Sequence, residues 1–244
     1  MRRFALLVAC LFAAAPAFCA ERVAAEDHRE FWLWGGVRSR PYFDRAETIY
    51  LLQGEVAAGP GGVVQVEARS VASPGPHRAP LFLVWRTRTL DFSPQVMEVV
   101  RTRLAAWKRE QGVVRGVQID FDAATRRLGD YAAFLRKVRR ELPDGTELSV
   151  TGLMDWASQG ALDDLEKLAG VTDEIVFQTY RGRSTVRNVD AYVARLARLA
   201  IPFKLGLVEH GEWSPPPGLR GNPNFRGYVV FLLNRAPGEA ARPD

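Results

Sequence analysis

Cysteine is almost missing from this chain. Its 244 residues contain two, Cys10 and Cys19, and both fall within the first nineteen positions. If that segment is a removable leader, the mature chain has no thiol, and disulfides, cysteine nucleophiles and thiolate zinc sites are excluded. Histidine is nearly as scarce. His28, His77 and His210 stand far apart with no ligand spacing, so no metal site is expected. There is no G-x-S-x-G elbow, no phosphate-binding loop and no G-x-G-x-x-G fingerprint, which argues against elbow-type hydrolases, NTPases and dinucleotide enzymes. No cofactor is expected.

One long apolar run stands out, Phe4 to Ala15. Arg2 and Arg3 precede it, and Ala15-Pro16-Ala17 and Ala17-Phe18-Cys19 are small-residue cleavage patterns. The segment reads as a secretory signal peptide over residues 1–20, too short for a comfortable membrane span. A periplasmic or secreted protein with no membrane association after cleavage is the expectation. Charge of one sign is also scarce. The precursor carries +5, and the 33 basic residues less the two in the leader, against 28 acids, leave +3. The densest basic cluster, Arg136, Lys137, Arg139 and Arg140, shares a helix with Tyr131, Leu135, Val138 and Leu142 at helical spacing, so it occupies the wet face. Aromatic interleaving of the nucleic-acid kind is absent, and no nucleic-acid partner is expected.

What the chain does contain is an alternation of short apolar strands and amphipathic helices, with 47% hydrophobic residues to build a core. Strands are expected at Phe31–Val37, Thr48–Val56, Pro80–Arg86, Val114–Asp122, Glu147–Gly152, Glu174–Tyr180, Phe203–Val208 and Tyr228–Leu233. Val63–Ala68, after the Gly59-Pro60-Gly61-Gly62 turn, reads as a hairpin partner of the second strand. Ser93-Pro94 caps one helix, and others run from Leu128 to Leu142, Ala161 to Ala169 and Val186 to Ala200. About eight strands in about 210 residues favour one α/β domain, a (β/α)8 TIM-type barrel over residues 21–236, above an open doubly wound sheet. The first connections lack clear helices, so the barrel should be irregular in its N-terminal half. Residues 237–244 read as a disordered tail.

In such a barrel the reactive residues gather at the C-terminal ends of strands. On "GVQIDFDAAT" (116–125) Gln118, Asp120 and Asp122 share one strand face, and Val117, Ile119 and Phe121 share the other. The apolar face must meet the helices, which turns the polar face inward. Acids two residues apart on a strand lie roughly 6.5–7 Å apart. In a partly dry site one of them should take a raised pKa and become a proton donor beside an ionised partner, as acid catalysis at a glycosidic oxygen requires. The alternative is a polar plug in which Arg86 or Arg181 neutralises both acids. Other strand ends supply candidate substrate contacts: Trp34, Glu55, Trp85, Asp155, Trp156, Gln178, Arg181, Glu209 and Trp213. Tryptophans at a barrel mouth suit sugar faces, and the polar residues suit hydroxyls.

The stretches "GVQIDFDAAT", "LSVTGLMDW", "VFQTYRG" and "IPFKLGLVEHGEW" resemble the secreted bacterial family catalogued as domain of unknown function 3142, a likeness that covers most of the mature chain. More distantly, the fourth strand and Gln178-Thr179-Tyr180 resemble the chitinase-like family 18 glycoside hydrolases. These carry D-x-D-x-E on the fourth barrel strand and Met-x-Tyr-Asp on the sixth. The resemblance implies Asp122 at the proton donor's position, Asp120 orienting an acetamido group and Tyr180 hydrogen-bonding a cyclised intermediate. The chain departs from that pattern at Gln118, at Asp122, which is one methylene shorter than Glu, and at Arg181. The expected partner is a glycan or other small polar substrate, met by a monomer that is a glycoside-hydrolase-like enzyme with Asp122 as acid or, alternatively, a non-catalytic glycan-binding barrel.

Overall fold

The computed structural model describes residues 21–37, 39–59, 64–68, 78–111, 113–158 and 162–234. The expected leader, the tail and His77 lie outside them. Eight parallel strands close into a barrel: β1 Glu30–Leu33, β2 Thr48–Ala58, β3 Leu81–Thr87, β4 Val114–Asp120, β5 Glu147–Leu153, β6 Glu174–Gln178, β7 Phe203–Val208 and β8 Phe225–Phe231. Each pairs with the next, and β8 returns to β1 through Val230 beside Phe31 and Phe231 beside Trp32. The fold is therefore the expected (β/α)8 barrel.

Among the described residues four α-helices lie outside it: α1 Pro94–Gln111, α2 Leu128–Glu141, α3 Leu162–Glu166 and α4 Val189–Leu196. Helix α1 begins as its sequence dictates, with the Val96 N–H donating to Ser93 Oγ at 3.3 Å. Helix α2 stops before Pro143, and Gly145 takes the left-handed turn (φ 73°) that leads into β5. No α-helix stands among the described residues between β1 and β3. A short 3-10 turn, Pro41–Arg45, and the antiparallel strand Val64–Ala68, paired with β2, take its place.

Strand alternation sorts the core into two shells. Outward residues such as Phe31, Ile49, Leu83, Val117, Ile119, Val150 and Phe177 meet the helices. Inward residues Trp32, Tyr50, Phe82, Val84, Val176, Val229 and Phe231 fill the barrel. Tyr50 and Phe82 stack at 5.1 Å, and so do Trp32 and Phe231. These rings fit because small residues face them. A Cβ on Gly116 would stand 2.2 Å from the Glu147 carbonyl oxygen and 2.9 Å from the Phe82 ring.

The floor of the barrel is polar and buried. Lys204 Nζ sits 3.2 Å from a Glu174 oxygen, 2.5 Å from Glu30 and 3.0 Å from the Tyr50 hydroxyl, which itself donates to Glu174 at 2.6 Å. Ser149 donates to Glu174 and accepts from Gln118, whose oxygen accepts from Trp32 Nε1 at 2.8 Å. Every polar group named is satisfied, as burial demands.

Several expected boundaries shift. β1 ends at Leu33 because Gly35-Gly36 turns the chain, with Gly36 at φ 88°. β6 ends at Gln178. The next residues leave the barrel as a two-stranded hairpin, Tyr180–Arg181 against Ser184–Thr185. β8 starts three residues earlier than its apolar run, at Phe225.

Candidate functional site

The strand that raised the question of chemistry delivers Gln118 and Asp120 inward, in register with Ser149 on β5 and Arg86 on β3. Gln118 is fully buried and belongs to the chain of hydrogen bonds leading to the floor, so it does not reach the mouth. Asp120, the last residue of β4, is 5% exposed and accepts the Thr151 hydroxyl at 2.6 Å. Asp122 lies past the strand end, and its side chain is 60% exposed. The two acids thus sit in different environments, as the sequence suggested, but the buried one is Asp120.

Burial is the main cause that pushes the Asp120 carboxyl above its ordinary value. The Thr151 hydrogen bond and the Arg86 charge oppose the shift, and the charges of Asp122 and Glu55 add to it. Thr151→Val removes an opposing hydrogen bond, so the Asp120 titration midpoint should move further up. Carboxyl carbon NMR of the two proteins checks this, and an unmoved or lowered midpoint would contradict it. Tyr180 packs its ring on Phe231 at 5.5 Å, and burial followed by the Asp120 and Asp122 charges drives its phenol far above the usual range.

Arg86 occupies the centre of the mouth. Its guanidinium lies 4.0 Å from Asp120 and 3.7 Å from Asp122, beyond hydrogen-bond reach of either, and its carbon sits 5.4 Å over the Trp34 ring. Two contiguous clefts meet at it. One, about 300 Å³, runs between Arg86, Arg88, Asp120 and Asp122. The other, about 370 Å³, runs between Trp34, Glu55, Arg86, Arg88 and Asn234. Arg88 pairs with Glu55 at 2.6 Å. A register shift between Leu52 and Gly54 on β2 brings Glu55 to this position.

Other predicted contacts lie elsewhere, and alternation explains two of them. Arg86 points inward, so Trp85 must point outward, and it is fully buried in the helix-facing shell. Glu209 follows inward Val208 on β7 and also faces out, where it accepts the Leu233 N–H at 2.8 Å. Trp156 is fully buried in the 3-10 turn after β5, donating to the Ala123 carbonyl at 2.7 Å. Trp213 is 7% exposed and packs on Tyr228. The expectation that these residues form sugar contacts at the mouth is corrected: they are parts of the packed shell. Asp155 and Arg181 are exposed, and Gln178 is half-buried at the end of β6, but none of the three lines the two clefts. Arg88 and Asn234 were not anticipated. Arg88 follows Arg86 at strand spacing, a signal the sequence did carry.

Among the described residues no group of three or more His, Cys, Asp or Glu side chains could hold a metal ion, and no helix is long and apolar enough to cross a membrane.

The chain belongs to the family described as a domain of unknown function (DUF3142), whose match spans residues 86–207, half of the 244. No curated protein sequence matches it. Among solved structures, a xylanase–α-amylase inhibitor protein (XAIP-III) is similar, with a TM-score of 0.52 and 11% identity over 84% of this chain and 93% of that one. A second such inhibitor (XAIP-I), crystallised with trehalose, gives 0.51 and 10% over 83% and 92%. The chitinase domain of the spore coat protein CotE from Clostridium difficile gives 0.45 and 13% over 82% and 68%. Likeness at these identities is likeness of fold.

Proposed function

We propose that this protein is a glycan-binding barrel whose mouth recognises a cell-wall or extracellular glycan without cutting it. The observation that carries the reading is the placement of Arg86 beside both carboxylates. A proton donor for a glycosidic oxygen needs an acid free to approach it, with an ionised partner on hand. Here one guanidinium stands against both acids. Asp122, at the donor's position by resemblance, has a side chain 60% exposed and stands 3.7 Å from the same guanidinium. What the mouth does supply is binding chemistry: a half-buried Trp34 ring with the Arg88 guanidinium and the Glu55 carboxylate beside it, in clefts that Arg86, Asp120 and Asp122 border. The trehalose complex of a barrel with a similar fold makes sugars a reasonable class to test first. The expected leader would carry the protein to such a glycan by export.

One observation favours a second reading, a hydrolase with the acid roles exchanged. Asp120 is the buried carboxyl at the mouth, and burial raises it, so Asp120 would be the acid in that reading. One experiment tests the binding that both readings need, and counting new reducing ends then separates them. The protein lacking residues 1–20 is titrated with chito-oligosaccharides, solubilised peptidoglycan fragments and trehalose, and binding is followed by calorimetry. Saturable heat with at least one of these supports the glycan reading; no binding to any of the panel overturns it.

A further inference from the structure

The aromatic platform of the mouth is already covered. Trp34 is the most exposed of the six tryptophans, since Trp32, Trp85, Trp107, Trp156 and Trp213 are all buried. Its ring packs against Trp32 at 4.5 Å and carries the Arg86 guanidinium over it at 5.4 Å. A sugar face cannot stack where the guanidinium lies.

Arg86 is also loosely held. Its side chain is 35% exposed, and no hydrogen bond fixes its guanidinium among the described residues. The carboxylates of Asp120 and Asp122 stand at 4.0 and 3.7 Å, close enough to attract it and about an ångström too far to bind it fully. Arg88, its neighbour along the same side of the mouth, is by contrast tied to Glu55 at 2.6 Å. Arg86 therefore stands between two groups that attract it, the Trp34 ring and the acid pair. The two clefts that meet at this side chain would become one continuous groove if it moved.

We propose that Arg86 is a ligand-displaced gate: a sugar ring stacking on Trp34 pushes the guanidinium off the indole and into hydrogen-bonded contact with Asp120 and Asp122. The gate makes Arg86 a specificity-determining residue. A ligand binds only if its stacking on Trp34 outweighs the cation–π contact it replaces, so ligands without a flat apolar face are turned away. Closing onto the acids also keeps both carboxylates engaged while the ligand is bound, which agrees with a mouth that binds and does not cut. The inference rests on the glycan-binding reading, but the covering of Trp34 is open to a test that needs no glycan.

Acrylamide quenching of tryptophan fluorescence reports mainly on Trp34, because the other five rings are buried. Arg86→Ala should raise the quenching constant, Arg86→Lys should give a smaller rise while keeping the charge beside the acids, and in a Trp34→Phe background neither change should matter. Equal quenching in wild type and Arg86→Ala would overturn the gate whatever the protein binds. Calorimetry on the same panel of glycans gives the second readout. Removing a contact of the cation–π kind should tighten binding of a stacking sugar on the order of two- to fivefold in Arg86→Ala. Weaker binding in that variant would overturn the gate and make Arg86 a direct ligand contact. A quenching rise with no binding in either protein would instead overturn the glycan reading and leave the covered platform standing.

Discussion

Lys204→Met should be among the most damaging single changes in this barrel, lowering stability by about 3–5 kcal/mol. Lys204 is the cation shared by two buried carboxylates, with side chains 5% exposed at Lys204, 5% at Glu174 and 12% at Glu30. Methionine keeps much of the volume but leaves two acids facing each other and the Tyr50 hydroxyl without the ammonium. For a chain of this size the loss corresponds to roughly 10 °C in thermal midpoint. It should also depend on pH. Burial, the largest cause, already raises the Glu30 carboxyl above its ordinary value, and Lys204 opposes that rise. A carboxyl whose folded value is raised binds its proton more tightly when folded. Its stabilisation is present below the unfolded carboxylate range and is lost as pH rises through the folded value. Without Lys204 the rise is larger, so the variant should be nearest to wild type in mild acid and fall furthest behind at neutral pH. Thermal melts of both proteins across that range check the direction. A deficit that does not change with pH would mean that the lysine acts by packing alone. Glu174→Gln placed on top of Lys204→Met should recover part of the loss, because it removes one of the orphaned charges.

The second large effect concerns ligand. Trp34→Ala should weaken glycan binding at least tenfold, the scale at which a central aromatic anchor acts in recognition, while leaving the melting temperature close to wild type. Only Trp34 combines a ring at the mouth with a wall of polar groups. Trp85→Ala and Trp156→Ala would instead be costly to the fold, about 3–5 kcal/mol each as fully buried aromatics, and would say nothing about the ligand. Calorimetric affinity measured beside a melt separates the two kinds of tryptophan. Unchanged affinity in Trp34→Ala would remove the platform from the account.

The contrast between these tryptophans also shows how far the sequence can be read. The closed barrel was legible because its strands and helices carry opposite periodicities, and because apolar residues on β4 to β7 come in runs too short for helices. The helix caps at Ser93 and before Pro143 were legible for local reasons. That no α-helix stands among the described residues between β1 and β3 was legible as a lack of pattern, though not the hairpin strand's exact role in covering that side. At the site, the inward turn of Asp120 followed from the alternation along "GVQIDFDAAT". The same rule applied to Arg86 would have sent Trp85 outward and drawn attention to Arg88. Burial beyond the barrel strands was not legible: Trp156 lies in a 3-10 turn and Trp213 in a two-residue strand paired with Glu21–Arg22, both too short for a period to govern direction, and only packing against Tyr131, Phe177 and Tyr228 sets it. Nor could spacing reveal which of two acids is dry. That depended on where β4 ends, one pair of residues before Asp122. The floor network joins residues up to 174 positions apart, Glu30 with Lys204, and no local pattern marks it.

The central claim is that the mouth holds a glycan and leaves it whole, with Arg86 set against both acids. It is tested most directly by counting new reducing ends when the protein lacking residues 1–20 is incubated with the glycan it binds in calorimetry, beside Asp120→Asn and Asp122→Asn. The account predicts no release above the blank for any of the three proteins, over times long enough for many turnovers of an ordinary glycosidase. Reducing ends that accumulate with wild type and vanish in Asp120→Asn would contradict it and make this barrel a hydrolase.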